Sequence, residues 1–152
     1  MRKIGTLIAV FAIFSLILAT ESFAQPGMKW KGSGGWGAGG SYGRMYNPKT
    51  VETISGEVVN VYTITPMTGM CYGVQLMVKT DKEVISVHLG PGWYIDNQDT
   101  KIEPKDKVEV RGSRITFKRQ PVIIAAEVKK GDKILKLRDE NGFPVWSGWR
   151  QR

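Results

Sequence analysis

From residue 51 onward hydrophobic and polar residues alternate in short runs, and this alternation is the feature that most limits what the chain can fold into. In YGVQLMVKT (72–80), Val74, Leu76 and Val78 fall on one face of an extended chain. A period of two is typical of a half-buried β-strand, and no run of ten residues has the 3.6-residue period of an amphipathic helix. Six runs are predicted as strands: 51–65, 72–80, 83–89, 107–117, 121–131 and 132–142.

The order of these runs favours a closed barrel. Residues 90–106 break the alternation and predict one short helical turn, and Gly56 predicts a bend or bulge in the long first strand. We therefore expect residues 49–142 to form an all-β domain, a small OB-fold-like Greek-key barrel of five to six strands. An open meander or small sandwich is the alternative, but closure leaves fewer unpaired strand edges.

The first 24 residues predict a secretory signal peptide that is not part of the fold. Two basic residues precede an uncharged apolar run (4–19), and Ser22 and Ala24 are small residues at the positions that a signal peptidase recognises. We expect cleavage near Ala24, a periplasmic or secreted location, and no membrane span after cleavage. An uncleaved anchor is the alternative, although the apolar run has 16 residues and a membrane span needs roughly 20.

Residues 25–48 differ in composition from the strands that follow. The segment QPGMKWKGSGGWGAGGSYGRMYNP is rich in glycine and aromatic residues and has no apolar period. Glycine makes ordering costly, so the segment predicts a flexible arm. Trp30 and Trp36 are candidates to stack on a partner. Alternatively, the aromatic residues of the arm fold back onto the domain.

The C-terminal tail FPVWSGWRQR (143–152) combines aromatic and basic residues. Its two tryptophans, Trp146 and Trp149, are too apolar to remain fully in water. They are predicted either to plug one end of the barrel or to form a patch that docks on a partner or a membrane surface.

Three sulfur atoms lie close together in TPMTGMCYG (65–73), in the predicted loop between the first two strands. Met67, Met70 and Cys71 are soft ligands, and with His88 on the third strand they are candidate ligands of a copper or iron ion. Packing of the loop is an alternative, because methionine fills gaps and a free cysteine is often buried. A third interpretation is a thiol that joins two chains.

The chain has a formal net charge of +8 and a single cysteine. One cysteine makes no internal disulfide, so the domain must be held by burial alone. The positive charge favours anionic partners such as lipid headgroups, polysaccharides or acidic proteins, with nucleic acid the least accessible to a secreted protein. Arg114, Lys118 and Arg119 lie on the predicted loop between the fourth and fifth strands and form a candidate anion-binding rim.

Four stretches within residues 49–149 carry a resemblance to a known family: VETISGEVVNV, VISVHLGPGWYI, KIEPKDKVEVRGSRI and IIAAEVKKGDKILKLRDENGFPVWSGW. They are similar to the domain of the magnetosome proteins MamS and MamX. The resemblance implies an extracytoplasmic OB-like domain, tied in some relatives to iron-mineral formation and redox control. MamX-type relatives also carry CxxCH haem-attachment motifs. This sequence has none, so the resemblance does not imply haem here.

The sequence contains no recognisable nucleophile motif or acid–base pair, and it predicts a protein that is not an enzyme. Three functions stay open. One is a periplasmic binding or adaptor module that engages a protein or an anionic surface through its loop rim and arm. The others are a metal-handling accessory protein with a Met/Cys/His site, and a module that binds polyanions or nucleic acid.

Overall fold

The computed structural model describes residues 34–148. The predictions for the signal peptide, Trp30 and Trp149 lie outside these residues. Within them, the secondary structure consists of strands β1 (Val51–Ile64), β2 (Gly73–Lys79), β3 (Val84–Pro91), β4 (Lys107–Phe117), β5 (Gln120–Lys130) and β6 (Lys133–Lys136), a short helix α1 (Gly92–Ile95), and 3-10 turns at Gly43–Met45, Pro48–Thr50 and Val145–Gly148.

The strands form a ring. β1 pairs antiparallel with β2 and β4, β2 with β3, and β4 with β5. A parallel pairing of Ser86–His88 in β3 with Val122–Ile124 in β5 closes the ring. The short strand β6 pairs antiparallel with the end of β5. This order is that of a small Greek-key barrel. The predicted all-β, OB-fold-like barrel with one helical turn is therefore confirmed.

The long first strand changes partners near its middle. It pairs with β4 over Val51–Glu57 and with β2 over Glu57–Ile64. A Cβ atom at Gly56 would collide with the backbone carbonyl of Lys79, so the glycine lets β2 cross close to β1. A register shift between Val58 and Asn60 follows, and such a bulge bends a strand and increases its twist.

Apolar side chains from every strand of the ring fill its interior. Alternate residues of β2 and β3 are buried as the sequence pattern predicts, whereas β5 is buried on both faces from Val122 to Ala126. Fully burying one such side chain stabilises the fold by about 1.5–3 kcal/mol. The buried strand residues are Val58, Val74, Leu76, Val78, Ile85, Val87, Leu89, Val108, Val110, Val122, Ile123, Ile124, Ala125, Ala126, Val128 and Leu135.

The segments that precede and follow the ring also contribute to this core. Trp36 and Tyr42 are each 1% exposed and Trp146 is fully buried. The indole N–H of Trp146 donates to the carbonyl of Trp36 at 3.1 Å, so the two segments are tied to each other. No helix within residues 34–148 has the length and hydrophobicity to cross a membrane.

Candidate binding face

The surface of the β1–β2–β3 sheet that points away from the barrel interior carries six uncharged side chains, next to an outward row that contains Glu57 and Lys79. Directly opposed residues of an antiparallel pair project to the same side of a sheet. Strand pairing aligns them in two rows, Asn60–Met77–Ser86 and Tyr62–Gln75–His88. We call these six residues the outer face.

Hydrogen bonds within the outer face hold its polar groups in place. The amide of Gln75 donates to the Met77 sulfur at 3.3 Å and to the Ser86 hydroxyl at 3.4 Å, and that hydroxyl donates to the same sulfur at 3.3 Å. The Asn60 amide donates to the Tyr62 hydroxyl at 3.0 Å. The result is a neutral, preordered surface on which Tyr62 is 47% exposed.

His88 closes one end of the outer face and is itself covered. Its Nδ1 shares a hydrogen bond of 2.9 Å with the Tyr42 hydroxyl, and its ring stacks on Tyr42 with the centroids 5.8 Å apart. The ring of Phe117 meets it edge-on at 5.7 Å. Burial, helped by the charge of Arg138, lowers the pKa of His88 from 6.5 to about 4. The imidazole is therefore neutral near neutral pH.

The turn between β4 and β5 presents two cations beside this histidine. Lys118 and Arg119 are exposed, and both have positive φ, 50° and 68°. Two successive positive φ values match the tight hairpin turn that usually holds Asn-Gly, because in most other residues the Cβ atom crowds the following carbonyl oxygen in this conformation. The Lys118 ammonium lies 5.3 Å from the centroid of Phe117, the ring that also contacts His88.

The third residue of the predicted anion-binding rim is engaged within the protein. Arg114 forms ion pairs with Glu52 at 2.7 Å and with Glu83 at 2.6 Å. The hydrogen bonds that Arg114 donates to the carboxylates of Glu83 and Glu52 raise the pKa of Arg114. Its guanidinium therefore joins β1, β4 and the turn before β3, while Lys118 and Arg119 are the rim residues that face solvent.

The sulfur-bearing loop packs against the arm. Cys71 donates its backbone N–H to the carbonyl of Gly34 at 2.9 Å, and its own carbonyl accepts the indole N–H of Trp36 at 2.9 Å. Met67 and Met70 are half-buried against the core. Burial raises the pKa of the Cys71 thiol, which keeps it protonated near neutral pH. These contacts support the interpretation that the loop packs against the domain.

No contact within residues 34–148 joins His88 to the three sulfur-bearing residues of this loop. The Nδ1 atom of His88 is bonded to Tyr42, and His88 pairs with Gln75 in the middle of β2, whereas Cys71 precedes the start of that strand. Within residues 34–148, no group of three or more His, Cys, Asp or Glu side chains is placed to share a metal ion. Metal binding through Met67, Met70, Cys71 and His88 stays a prediction.

Two of the predicted aromatic anchors lie in the interior. The burial of Trp36 and Trp146 matches the alternative in which the arm folds back and the tail plugs the barrel. The guanidinium of Arg138 lies 4.8 Å from the Trp146 ring and donates to the carbonyls of Leu89 and Ala125 at 3.0 and 2.6 Å. As placed, the two tryptophans serve cohesion, and neither is exposed to a partner.

The sequence of the barrel strands matches a known family. Its sequence profile, described as the MamS/MamX magnetosome protein family, matches residues 50–135. The chain belongs to this family. The match covers β1 to β5 and most of β6, and therefore includes the whole outer face and the Lys118–Arg119 turn. Among curated proteins, none matches the sequence significantly.

Sequence reasoning missed the outer face as a site. The alternation that assigned inward residues to β2 and β3 also fixed the outward set, and Gln75, Met77 and Ser86 were available as a signal. What the sequence does not reveal is that Tyr42, 46 positions before His88, covers one end of this face. Nor does any local pattern show that Arg138, in a charged stretch before a turn, is 5% exposed.

Proposed function

We propose that this domain is a non-enzymatic, extracytoplasmic binding module whose partner docks on the outer face and is held by the Lys118–Arg119 turn. The partner is an acidic protein or another anionic surface. The observation that carries the proposal is the turn itself, in which two exposed cations occupy a backbone conformation that suits glycine and asparagine.

The backbone of the Lys118–Arg119 turn is strained. A residue other than glycine in the left-handed region costs roughly 1–2 kcal/mol, and such positions concentrate at functional sites because the surrounding structure holds them there. Both residues project into solvent and neither contributes to the core. Positive φ alone does not mark a binding residue, since Lys105 also has it. What we relate to binding is the pair of adjacent, exposed cations at the tip of one hairpin, where folding alone would favour Asn-Gly.

The turn also lies beside the outer face. Phe117 contacts the His88 ring, and the Lys118 ammonium lies over the ring of Phe117. The two cations therefore border a neutral surface with its polar groups already paired. A partner with acidic groups beside a flat, weakly polar area fits this arrangement, because charge then guides the encounter and the neutral area provides contact.

The experiment compares two double variants that each remove two positive charges. Lys118→Asn with Arg119→Gly relaxes the turn and removes its cations. Lys105→Gly with Lys133→Ala is the matched control, since Lys105 also has positive φ, 77°, and both lysines precede β4 or follow β5, at the other end of the β4–β5 hairpin. Vesicles that contain phosphatidylglycerol represent an anionic surface, and poly-glutamate represents an acidic protein.

We expect the turn variant to bind the effective probe about 30-fold more weakly, since each cation near an anionic surface contributes about 1 kcal/mol. Its free energy of unfolding, measured by urea denaturation, should rise by about 1 kcal/mol. This would show that the weaker binding does not result from unfolding. The control should gain stability in the same way and keep most of its binding. Equal losses in both variants would mean that net charge alone drives binding, and would overturn the proposal, as would no binding to either probe.

A further inference from the structure

The second half of β1 has one edge without a partner strand in the described part of the chain. β4 follows β1 only as far as Glu57, and the last contacts on that side are the N–H of Val58 to Asp106 at 2.8 Å and the carbonyl of Val58 to Lys105 at 2.7 Å. Beyond Val58, residues 34–148 place a strand, β2, on the other side alone. We call residues 59–64 the open edge.

Backbone groups of the open edge point away from the protein. Thr80 donates its N–H to Glu83 on the β3 side of β2, and backbone groups alternate between the two sides along a strand. The backbone N–H and carbonyl of Leu76 therefore also point toward β3. Its partner in β1, Val61, and Thr63 two residues later direct their backbone N–H and carbonyl groups to the open edge. The side chains there are exposed too, with Val59 at 42% and Val61 at 37%.

Two common protections of an edge strand, lysine and proline, are missing from this one. Proteins block free edges with lysine or proline, among other devices. Residues 59–64 contain neither, and the whole stretch 58–78 has no Asp, Glu, Lys or Arg in a chain of which 24% is charged. The bulge between Val58 and Asn60 bends the strand away from β4 and so creates the edge. The residues beyond it pair regularly with β2, and no strand within residues 34–148 pairs with their other side.

We propose that the open edge pairs with the open edge of a second copy of this chain, in antiparallel register about a twofold axis. Unpaired N–H and carbonyl groups in a row are satisfied by another extended polypeptide. The open edge carries no charge that would select an acidic or a basic peptide. The same edge of a second copy is a matching partner, because it too is neutral and rich in β-branched residues. A twofold dimer satisfies both edges at once and ends the assembly at two chains.

Salt separates this association from the binding proposed above. Two chains that each carry +8 repel one another, and salt screens that repulsion. Dimerisation should therefore strengthen as ionic strength rises, whereas binding to an anionic partner weakens. The dimer also does not depend on the Lys118–Arg119 turn, so either proposal can fail without the other.

The test is sedimentation equilibrium of the protein purified after expression of the whole chain, over concentrations from about 1 to 200 μM, a range that covers micromolar dissociation constants. Thr63→Pro removes an outward N–H, and Thr63→Lys adds a charge at the open edge. Ser55→Lys is the control, because it adds the same charge to an exposed position of β1 that is paired with Glu109 of β4. Amide hydrogen exchange of residues 59–65 is followed at both ends of the concentration range.

We expect the parent and Ser55→Lys to form dimers. Each lost N–H bond weakens association by about a factor of five, and it is lost twice in a symmetric dimer, so Thr63→Pro should dimerise roughly 25-fold more weakly. Thr63→Lys should be monomeric, and edge amides of the parent should become protected as concentration rises. Three results would overturn the proposal. They are a monomeric parent, a dimer that neither Thr63 substitution weakens, and edge amides that are equally protected at all concentrations, which would mean that a segment outside residues 34–148 covers the edge.

Discussion

A cation lies over an aromatic ring in two regions of this molecule, one in the interior and one at the surface. Arg138 lies 4.8 Å from the ring of Trp146, with both residues buried, and Lys118 lies 5.3 Å from the ring of Phe117, with its ammonium in solvent. The contacts are alike in geometry. They differ in what else the cation touches.

The buried cation is fixed by acceptors and the exposed one is not. Arg138 donates to two backbone carbonyls from β3 and β5, so it joins the closing strands of the ring to the tail. Burial lowers the pKa of Arg138, which measures the cost of placing that charge inside. Lys118 is exposed to solvent and stays available. A cation over an aromatic ring thus stabilises the core in one place and leaves a charge exposed to solvent in the other.

The largest test of this comparison removes the buried ring. Trp146→Ala should lower the free energy of unfolding by about 4 kcal/mol, because it leaves a large cavity beneath the arm and uncovers Arg138. Urea denaturation measures the change. Val145→Ala is the neighbouring control, since Val145 is 38% exposed and its truncation should cost about 0.5 kcal/mol or less. Similar losses in the two variants would mean that the tail contributes little to the core.

A second test uses His88, which lies between the two regions beneath Phe117 and Tyr42. Its pKa is about 4 when folded and 6.5 as the ordinary value, so between these values the unfolded chain binds more protons. Its contribution to stability is full above pH 6.5 and is lost as pH falls toward 4, by about 3 kcal/mol in all. His88→Gln should flatten the profile of unfolding free energy in that window. An unchanged slope would show that other groups cause it.

The third and smallest test makes the same substitution at a buried and an exposed arginine. Arg138→Met should cost about 2 kcal/mol, because two backbone carbonyls in the interior lose a charged donor. Arg119→Met should change stability by less than about 0.5 kcal/mol, since that side chain projects into solvent. Thermal unfolding at pH 7 distinguishes them. Equal changes in stability would contradict the view that Arg138 stabilises the core and that Arg119 does not.

Much of the barrel was predictable because short-range alternation encodes it. Val74, Leu76 and Val78 identify an inward face without any knowledge of the partner strand, and that face is buried as predicted. The placement of Gly56 predicted an irregularity in β1, and a bulge follows two residues later. Strands with a period of two carry their own orientation, so class and architecture follow from the sequence.

The candidate site was less predictable because long-range contacts decide it. Trp36 was a candidate for stacking on a partner, yet its ring meets that of Tyr42 at 4.9 Å within the core. The sequence did not distinguish Arg114 from Lys118 and Arg119, since the carboxylates that pair with Arg114 come from β1 and from the turn before β3, both distant in sequence. Whether an aromatic or basic side chain faces a partner or the protein depends on residues that local patterns do not specify.

The parallel pairing that closes the ring sets the order in which the molecule can assemble during synthesis. β1, β2 and β3 are consecutive and can form a meander as soon as they emerge, but three residue pairs of β3 must wait for β5, from Ser86 with Val122 to His88 with Ile124. Contacts between distant parts of a chain slow folding. Until β5 is made, the growing chain exposes two strand edges at once, and the period before closure is when a chaperone or a protease has the best access to it.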